Sequence, residues 1–398
     1  MGSITLSGRG RRRVLRGHPW IYSDDLTEGE GEPGELLPVA GPDGAPLGWG
    51  LYSSHSKISA RLVTRTKDQP KREFWAQRVR LAIEARASAG LLDPAGACRL
   101  IAGDADGIPG LVADRYADVL VLQSGCQGSD RMLEFIVELI DEAMPFPLNS
   151  VLNRSDTTVR RHEDLETRVE WLRGEREGSF EVVEQGPCVE RMVYEVDVLH
   201  GHKTGHYLDQ RDNRVLAARS AEGGAVLDAF SYDGLFGIRA ALAGAKSVLC
   251  LDQSESAGER VLRNAERNGV ADRVRFEKVN AMHNLRDRVD QGESYRLVVC
   301  DPPAFARNKR ESEGAHRGYR ELARRGLALT ELGGAFVIAS CSYNIDRKSF
   351  TGCLADASLQ VDREARIFNF TGASADHPVL ATIPETDYLK CAFIRVGS

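Results

Sequence analysis

Val226-Leu227-Asp228-Ala229-Phe230-Ser231-Tyr232-Asp233-Gly234 is the stretch on which the fold turns. A short apolar run ends in an acid and a tight turn, and residues 234–243 follow with the apolar spacing of a helix. Working outward, strands are predicted at Ala225–Ala229, Ser247–Leu251, Val274–Val279 and Leu297–Cys300, with helices over 234–243 and 254–268. Ala335–Ala339 and Leu389–Val396 read as later strands. Alternating buried strands and helices predict a parallel sheet wrapped by helices, an α/β class. The first turn lacks the G-x-G-x-x-G that lets a pyrophosphate approach a helix N-terminus, so a phosphate-free nucleoside cofactor fits better than a dinucleotide.

In open parallel sheets ligands bind at the carboxyl ends of the strands, so the strand ends are read in order. Asp252 closes the second strand, and it suits either a ribose diol or a capping role before Ser254. Asp301-Pro302-Pro303 follows the strand ending at Cys300. Two prolines cannot continue a ladder, so they form a rigid exposed ledge with free carbonyls that can grip the edge of a planar base, or simply a stiff turn. Ser340-Cys341-Ser342 follows Ala335–Ala339 and puts a thiol where a nucleophile would stand, although most buried cysteines only pack.

Upstream, His200-Gly201-His202-Lys203-Thr204-Gly205-His206 invites a metal reading by its spacing, but with no carboxylate or cysteine beside it loop histidines are the better reading, and no metal is expected. Tyr207-Leu208-Asp209-Gln210-Arg211 is unusually polar for a helix start and reads as a ligand-facing segment with Asp209 as a cap. Residues 1–70 hold short apolar runs such as Leu36–Ala40 and Ala60–Val63 between turns, a small β domain. A first helix is predicted from Arg72 to the Gly90 stop. Strands at Arg99–Ala102, Gly110–Asp114, Val119–Gln123 and Ser150–Asn153, with a helix over Asp130–Ala143, give the middle an α+β character. Near the start, Arg11, Arg12 and Arg13 precede His18, Trp20 and Tyr22, which suits RNA phosphates and stacked bases or else a frayed charged tail.

The 398 residues favour two or three domains, and 42% hydrophobic with 28% charged residues is ordinary globular composition. A net charge of −6 means that a polyanion would have to be met by a local basic patch. Eight cysteines without a C-x-x-C argue against zinc ribbons and disulfide frameworks. The opening residues lack a signal-peptide pattern, Leu6 breaks a myristoylation motif, and no apolar run spans a membrane, so a cytoplasmic location is expected.

Together these residues resemble the bacterial 23S ribosomal RNA (cytosine-5) methyltransferase I family, along nearly the full chain. The resemblance rests on His18-Pro19-Trp20-Ile21-Tyr22-Ser23, Asn153-Arg154-Ser155-Asp156, Gly201-His202-Lys203-Thr204-Gly205 and Leu208-Asp209-Gln210-Arg211-Asp212. It continues through Asp228-Ala229-Phe230-Ser231-Tyr232, Asp301-Pro302-Pro303, Lys309, Ser340-Cys341-Ser342 and Ala375-Asp376-His377-Pro378. It implies a PUA-like RNA-binding domain at 1–70, a central α/β domain at 71–190 and a Rossmann-like class I methyltransferase domain at 191–398. S-adenosylmethionine is the implied cofactor, and free or early-assembly 23S ribosomal RNA the implied partner, with a homodimer allowed for. The implied cofactor contacts run from Tyr207, Asp209, Gln210 and Arg211 through Asp228, Phe230 and Ser231 on the methionine side. Asp252 with Gln253 would serve the ribose, and Asn280-Ala281 the adenine, with Asp301 closing the set. Asn280 stands where the family commonly has aspartate. Cys341 and Asp301 are the implied catalytic pair, and Pro302 and Lys309 join the N-terminal residues in RNA contact. Pro303-Ala304 occupies the place where many RNA cytosine-5 methyltransferases carry a second cysteine, so Cys300 reads as packing and one catalytic cysteine is expected. The alternatives are a nitrogen methyltransferase, which needs no cysteine at 341, and a non-catalytic RNA-binding assembly factor.

Overall fold

The computed structural model describes residues 2–305 and 312–398. Their contacts group them into two units, and each is built from segments distant in sequence. The first comprises Met1–Phe180, Val196–Leu208 and Ala375–Thr386, and the second Glu181–Glu195, Asp209–Ser374 and Asp387–Ser398.

In the first unit, β1 (Ser3–Leu6), α1 (Gly8–Leu15), β2 (Trp20–Tyr22), β3 (Leu26–Glu30), β4 (Leu36–Ala40), β5 (Pro46–Tyr52) and β6 (Ile58–Thr64) open the chain. The strands form one sheet in the order β2-β6-β5-β4-β1-β3 around Ile4, Leu6, Ile21, Val39 and Leu62. α1 corrects the reading of 1–70 as strands and turns alone, and it is a helix rather than a frayed tail. Its arginine run hides the helix because only Gly10 and Val14 face inward, and the start is marked by Ser7, whose Oγ accepts from the Gly10 N–H at 3.2 Å.

α2 (Arg72–Ser88) follows as expected, then β7 (Ala97–Ala102), β8 (Leu111–Tyr116), β9 (Val119–Ser124), α3 (Gln127–Arg131), α4 (Leu133–Ala143), β10 (Ser150–Ser155) and β11 (Arg168–Arg173). These strands form a second sheet in the order β11-β10-β9-β8-β7. The single helix expected over 130–143 is two, joined at Met132. Remote segments complete this unit: Thr204 Oγ1 donates to Asp114 at 2.6 Å, and the buried Arg86 donates to Asp106 and to the Asp376 carbonyl at 2.9 Å.

In the second unit, β12 (Phe180–Gly186) and β13 (Val189–Val196) make a two-stranded sheet, and α5 (Arg211–Ala218) leads into β14 (Ala225–Ala229), α6 (Leu235–Leu242), β15 (Ser247–Asp252), α7 (Glu255–Arg267) and β16 (Val274–Lys278). α8 (Ala281–Asp290), β17 (Tyr295–Cys300), α9 (Ser312–Leu329), β18 (Thr330–Ser340), α10 (Arg347–Val361), β19 (Ala365–Thr371) and β20 (Lys390–Val396) complete it. The large sheet runs β16-β15-β14-β17-β18-β20-β19. β14 to β18 run parallel to one another, whereas β20 lies antiparallel between β18 and β19. After β14 the chain builds outward to β16 and then crosses back to β17, so the topological switch point lies between β14 and β17, where open sheets bind ligands. Strand alternation sends Leu227, Ala229, Val298, Cys300, Phe336 and Ile338 into a core with Tyr319, Leu322 and Phe350. Asp228 turns to the opposite face, toward α6.

Candidate active site

The switch point lets β14, β15 and β17 deliver carboxylates to one edge. Asp228 is buried and accepts from the Gly237 N–H of α6 at 2.9 Å. Gly237 matters because a Cβ there would stand 2.7 Å from Val248 and 3.3 Å from Asp228 Oδ2. Burial, together with the charges of Asp301, Asp233 and Asp252, pushes the Asp228 carboxyl up to about 8. The intervening loop is backbone-strained: Phe230 at φ +63°, Tyr232 at φ +51° and Gly234 at φ +77° all lie in the left-handed region, which only glycine enters freely. Strain of this kind concentrates at ligand sites. The sequence shows only the glycine.

Of its two readings, the geometry of Asp252 bears on the capping one. Its Oδ1 accepts from Ser254 N–H and its Oδ2 from Tyr232 N–H, each at 3.0 Å, so it fastens the strained loop to the start of α7. Ser254 is itself the N-cap. Phe230 is half-buried against the core, the Ser231 N–H donates to the Leu251 carbonyl at 3.0 Å, and Gln253 is exposed. Asn280 is the N-cap of α8, accepting from His283 N–H at 3.2 Å, and Ala281 is buried behind it.

The 207–211 segment divides between the two units. Tyr207 belongs to the first, where its hydroxyl bonds His202 Nδ1 at 3.0 Å and the Lys203 ammonium lies 4.4 Å from its ring centroid. Asp209, Gln210 and Arg211 are buried in the second. The cap of α5 is Gln210, not Asp209, because the Asp209 carboxylate is taken by the Tyr388 hydroxyl at 2.6 Å. In the histidine loop His200 Nδ1 lies 3.2 Å from the Asp197 carboxylate, which corrects the premise that no carboxylate stands beside it and leaves His200 a hydrogen-bonded loop histidine. No cluster of three or more metal-ligating side chains occurs among the described residues.

On the other side of the switch point, Asp301 is half-buried, and its N–H donates to the Ala229 carbonyl at 3.4 Å. Pro302 is buried and Pro303 exposed. Cys300 sits in the core, and burial drives its thiol far above the ordinary range. Cys341, by contrast, is half-buried at the end of β18. Its loop is held by side chains that sequence reasoning passed over: the Tyr319 hydroxyl bonds Ser342 Oγ at 2.9 Å, and Lys390 Nζ donates to the Ser342 carbonyl at 2.9 Å. Burial raises the Tyr319 phenol to about 12. The only advance signal for Lys390 was a lysine at the start of an otherwise apolar strand.

The N-terminal residues lie in the first unit. Arg9 and Arg13 each reach the buried Asp25 at 2.8 Å, Arg11 lies 3.8 Å from Asp43, and Arg12 is exposed. His18 Nδ1 accepts from the Trp20 N–H at 3.1 Å, and the Trp20 indole donates to Asp104 at 2.9 Å. Lys309 lies outside the described residues.

Counted from β14, the sheet order is third, second, first, fourth, fifth, seventh, sixth, with the seventh strand reversed, which is the sheet of a class I S-adenosylmethionine-dependent methyltransferase. The PUA-like domain family matches residues 4–65, and the S-adenosylmethionine-dependent methyltransferase family matches residues 148–358. Ribosomal RNA large subunit methyltransferase I of Aeromonas hydrophila is 37% identical over 401 residues, covering 99% of each chain. The Shewanella amazonensis protein of the same name is 37% identical over 97% of this chain and 98% of its own. The chain belongs to the ribosomal RNA large subunit methyltransferase I family of S-adenosylmethionine-dependent methyltransferases. In fold it is similar to the methyltransferase SMU.776, crystallised in complex with SAH, with TM-score 0.84, 20% identity and coverage of 99% of this chain and 100% of that one. A structure described as a SAM-dependent methyltransferase from Streptococcus mutans gives TM-score 0.81 at 19% identity, again over 99% and 100%. Among the described residues no helix is long and apolar enough to cross a membrane.

Proposed function

We propose that the protein methylates C5 of a cytosine in 23S ribosomal RNA through a covalent bond between Cys341 and C6. The observation that carries this reading is the contrast between two cysteines: Cys341 is half-buried in a loop at the carboxyl edge of the sheet, whereas Cys300 is packed in the core. The relatives named for large-subunit ribosomal RNA methylation and the PUA-like match support RNA as substrate. A cytoplasmic site of action is part of the proposal.

The residues at the β14 and β15 ends fit S-adenosylmethionine chemically, because the carboxylates around Asp228 give the negative potential that a sulfonium and an ammonium group require. Asp228, Phe230 and Ser231 would hold its methionine side, Asp252 with Gln253 the ribose, and Asn280 with Ala281 the adenine, flanked by Asp209, Gln210 and Arg211 of the same unit. When bound, it supplies an electrophilic methyl group. Cytosine C5 is too weakly nucleophilic to take that methyl unaided. The Cys341 thiolate forms a bond to C6, and the electron pair of the C5–C6 double bond becomes available at C5. Asp301 hydrogen-bonds near N3 and stabilises the charge developing in the ring, and the Pro302 carbonyl accepts from the exocyclic amine. After C5 is methylated, loss of the C5 proton to a base and cleavage of the Cys341–C6 bond restore the ring and the thiolate. The target base must leave its stack, which is least costly in loops or early-assembly RNA. Arg11, Arg12, Arg13, His18, Trp20 and Lys309 would hold the surrounding RNA.

RNA carrying 5-fluorocytosine at the target tests the reading, because fluorine at C5 cannot leave as a proton. The wild-type protein should give a stable covalent complex, and Cys341→Ala none. Methylation of the unfluorinated RNA by the wild type, with no adduct on the fluorinated RNA, points to a ring nitrogen instead. Cofactor binding without turnover on any RNA points to an assembly factor.

A further inference from the structure

Lys390 is nearly inaccessible to solvent, with a relative exposure of 3%, yet its ammonium has no carboxylate within ion-pair distance among the described residues. Nζ donates to two backbone carbonyls, Ser342 and Tyr388, each at 2.9 Å. A buried charge is retained only when its surroundings repay the loss of water, and two carbonyl dipoles solvate a cation without neutralising it. The position is fixed by the sheet: Lys390 opens β20 and pairs with Ser340 across the antiparallel ladder, so it reaches the loop that carries Cys341. The Tyr388 whose carbonyl it holds uses its own hydroxyl to bind Asp209 at 2.6 Å. One ammonium thus ties the Cys341 loop to a segment that bonds the start of α5.

The charges facing this pair come from several elements. Burial lowers the proton affinity of Lys390, the fields of Asp387, Cys341 and Asp346 restore part of it, and Arg347 opposes them. From α9 the Tyr319 phenol, raised to about 12 by burial, feels both Cys341 and Asp301 and stays neutral at working pH. Asp301, beyond β17, is the negative group that disfavours a second anion there. Lys390 is the buried cation on the other side of that balance.

We propose that Lys390 is a positioning residue for Cys341, fixing the loop through the Ser342 carbonyl and holding the thiol in its anionic form. The proposal rests on the reading of Cys341 as nucleophile. The test is the pH dependence of Cys341 alkylation by iodoacetamide in the full-length protein, followed by mass spectrometry of the peptide that contains it. In the wild type the midpoint should fall below that of an ordinary thiol, about 8.5. Lys390→Met should raise it by about one unit or more, lower kcat about tenfold or more, and leave the KM for RNA and the affinity for S-adenosylmethionine unchanged. Lys390→Arg should restore most of the shift. A wild-type midpoint at or above the ordinary value overturns the proposal, and so does an unchanged midpoint in folded Lys390→Met; the wild-type measurement decides even if that variant fails to fold. Turnover by Cys341→Ala would instead defeat the nucleophile reading, and it is separate from the alkylation midpoints.

Discussion

Two stretches of one sheet edge carry opposite electrostatics. At the ends of β14 and β15, Asp228 is buried among Asp233, Asp252 and Asp301, and its proton is held up to about 8. At the end of β18 and the start of β20, a buried ammonium takes two carbonyls beside a half-buried thiol. The first arrangement is costly unless a cation arrives, and the second is costly unless an anion does. Under the proposed function the cation is the methyl donor and the anion the nucleophile. Each reactant's site is then prepared by charge of the opposite sign before anything binds.

The comparison breaks most visibly at the nucleophile. Cys341→Ala should lower kcat by about 10³-fold or more with cofactor affinity intact, because a nucleophile is needed only for the chemical step. Cys300→Ala should keep near wild-type turnover, which single-turnover methylation assays would read. The next effect belongs to the acidic end. Asp252→Ala should weaken S-adenosylmethionine binding by about 1–3 kcal/mol in calorimetry. Asp252→Asn, which keeps an acceptor for one of the two loop N–H groups, should lose less; equal affinity in all three proteins would remove Asp252 from the site.

Protons sharpen the contrast further. Asp228 binds its proton more tightly folded than unfolded, so its contribution to stability is present below pH about 4 and is lost as pH rises toward about 8. Thermal melts across that range should therefore show Asp228→Asn gaining on the wild type as pH increases, by several degrees. A constant difference would mean that Asp228 is not protonated in the folded protein. The smallest effect belongs to the N-terminal helix. Arg13 is committed to Asp25 and Arg11 lies near Asp43, so neutralising Arg11, Arg12 and Arg13 together should flatten the salt dependence of RNA binding by the equivalent of about one phosphate contact rather than three.

The acidic end was far more legible in the sequence than the other. Strands at 225–229 and 247–251 announce themselves as apolar runs with an acid beside the last residue, and the strand-end rule then picks out Asp228 and Asp252. Lys390 and Tyr319 could not be found in the same way. Their contacts with the Cys341 loop cross 48 and 23 residues of chain, and nothing local marks a lysine or tyrosine as facing a loop that far away. The positive φ of Phe230 and Tyr232 was equally hidden, because the usual flag for that conformation is glycine. α1 was missed for a different reason, since only two of its eight positions point inward.

The discontinuous first unit bears on how such a protein could be taken apart. Arg86, Asp114 and Arg99 complete their buried bonding with Asp376, Thr204 and Asp376 in turn, residues up to 290 positions away. A fragment cut after residue 180 would keep both sheets of that unit but leave these polar groups facing an interior without their partners. Swapping this unit between homologues therefore requires transplanting three pieces of gene at once, and recombination with a single crossover should yield insoluble chimeras.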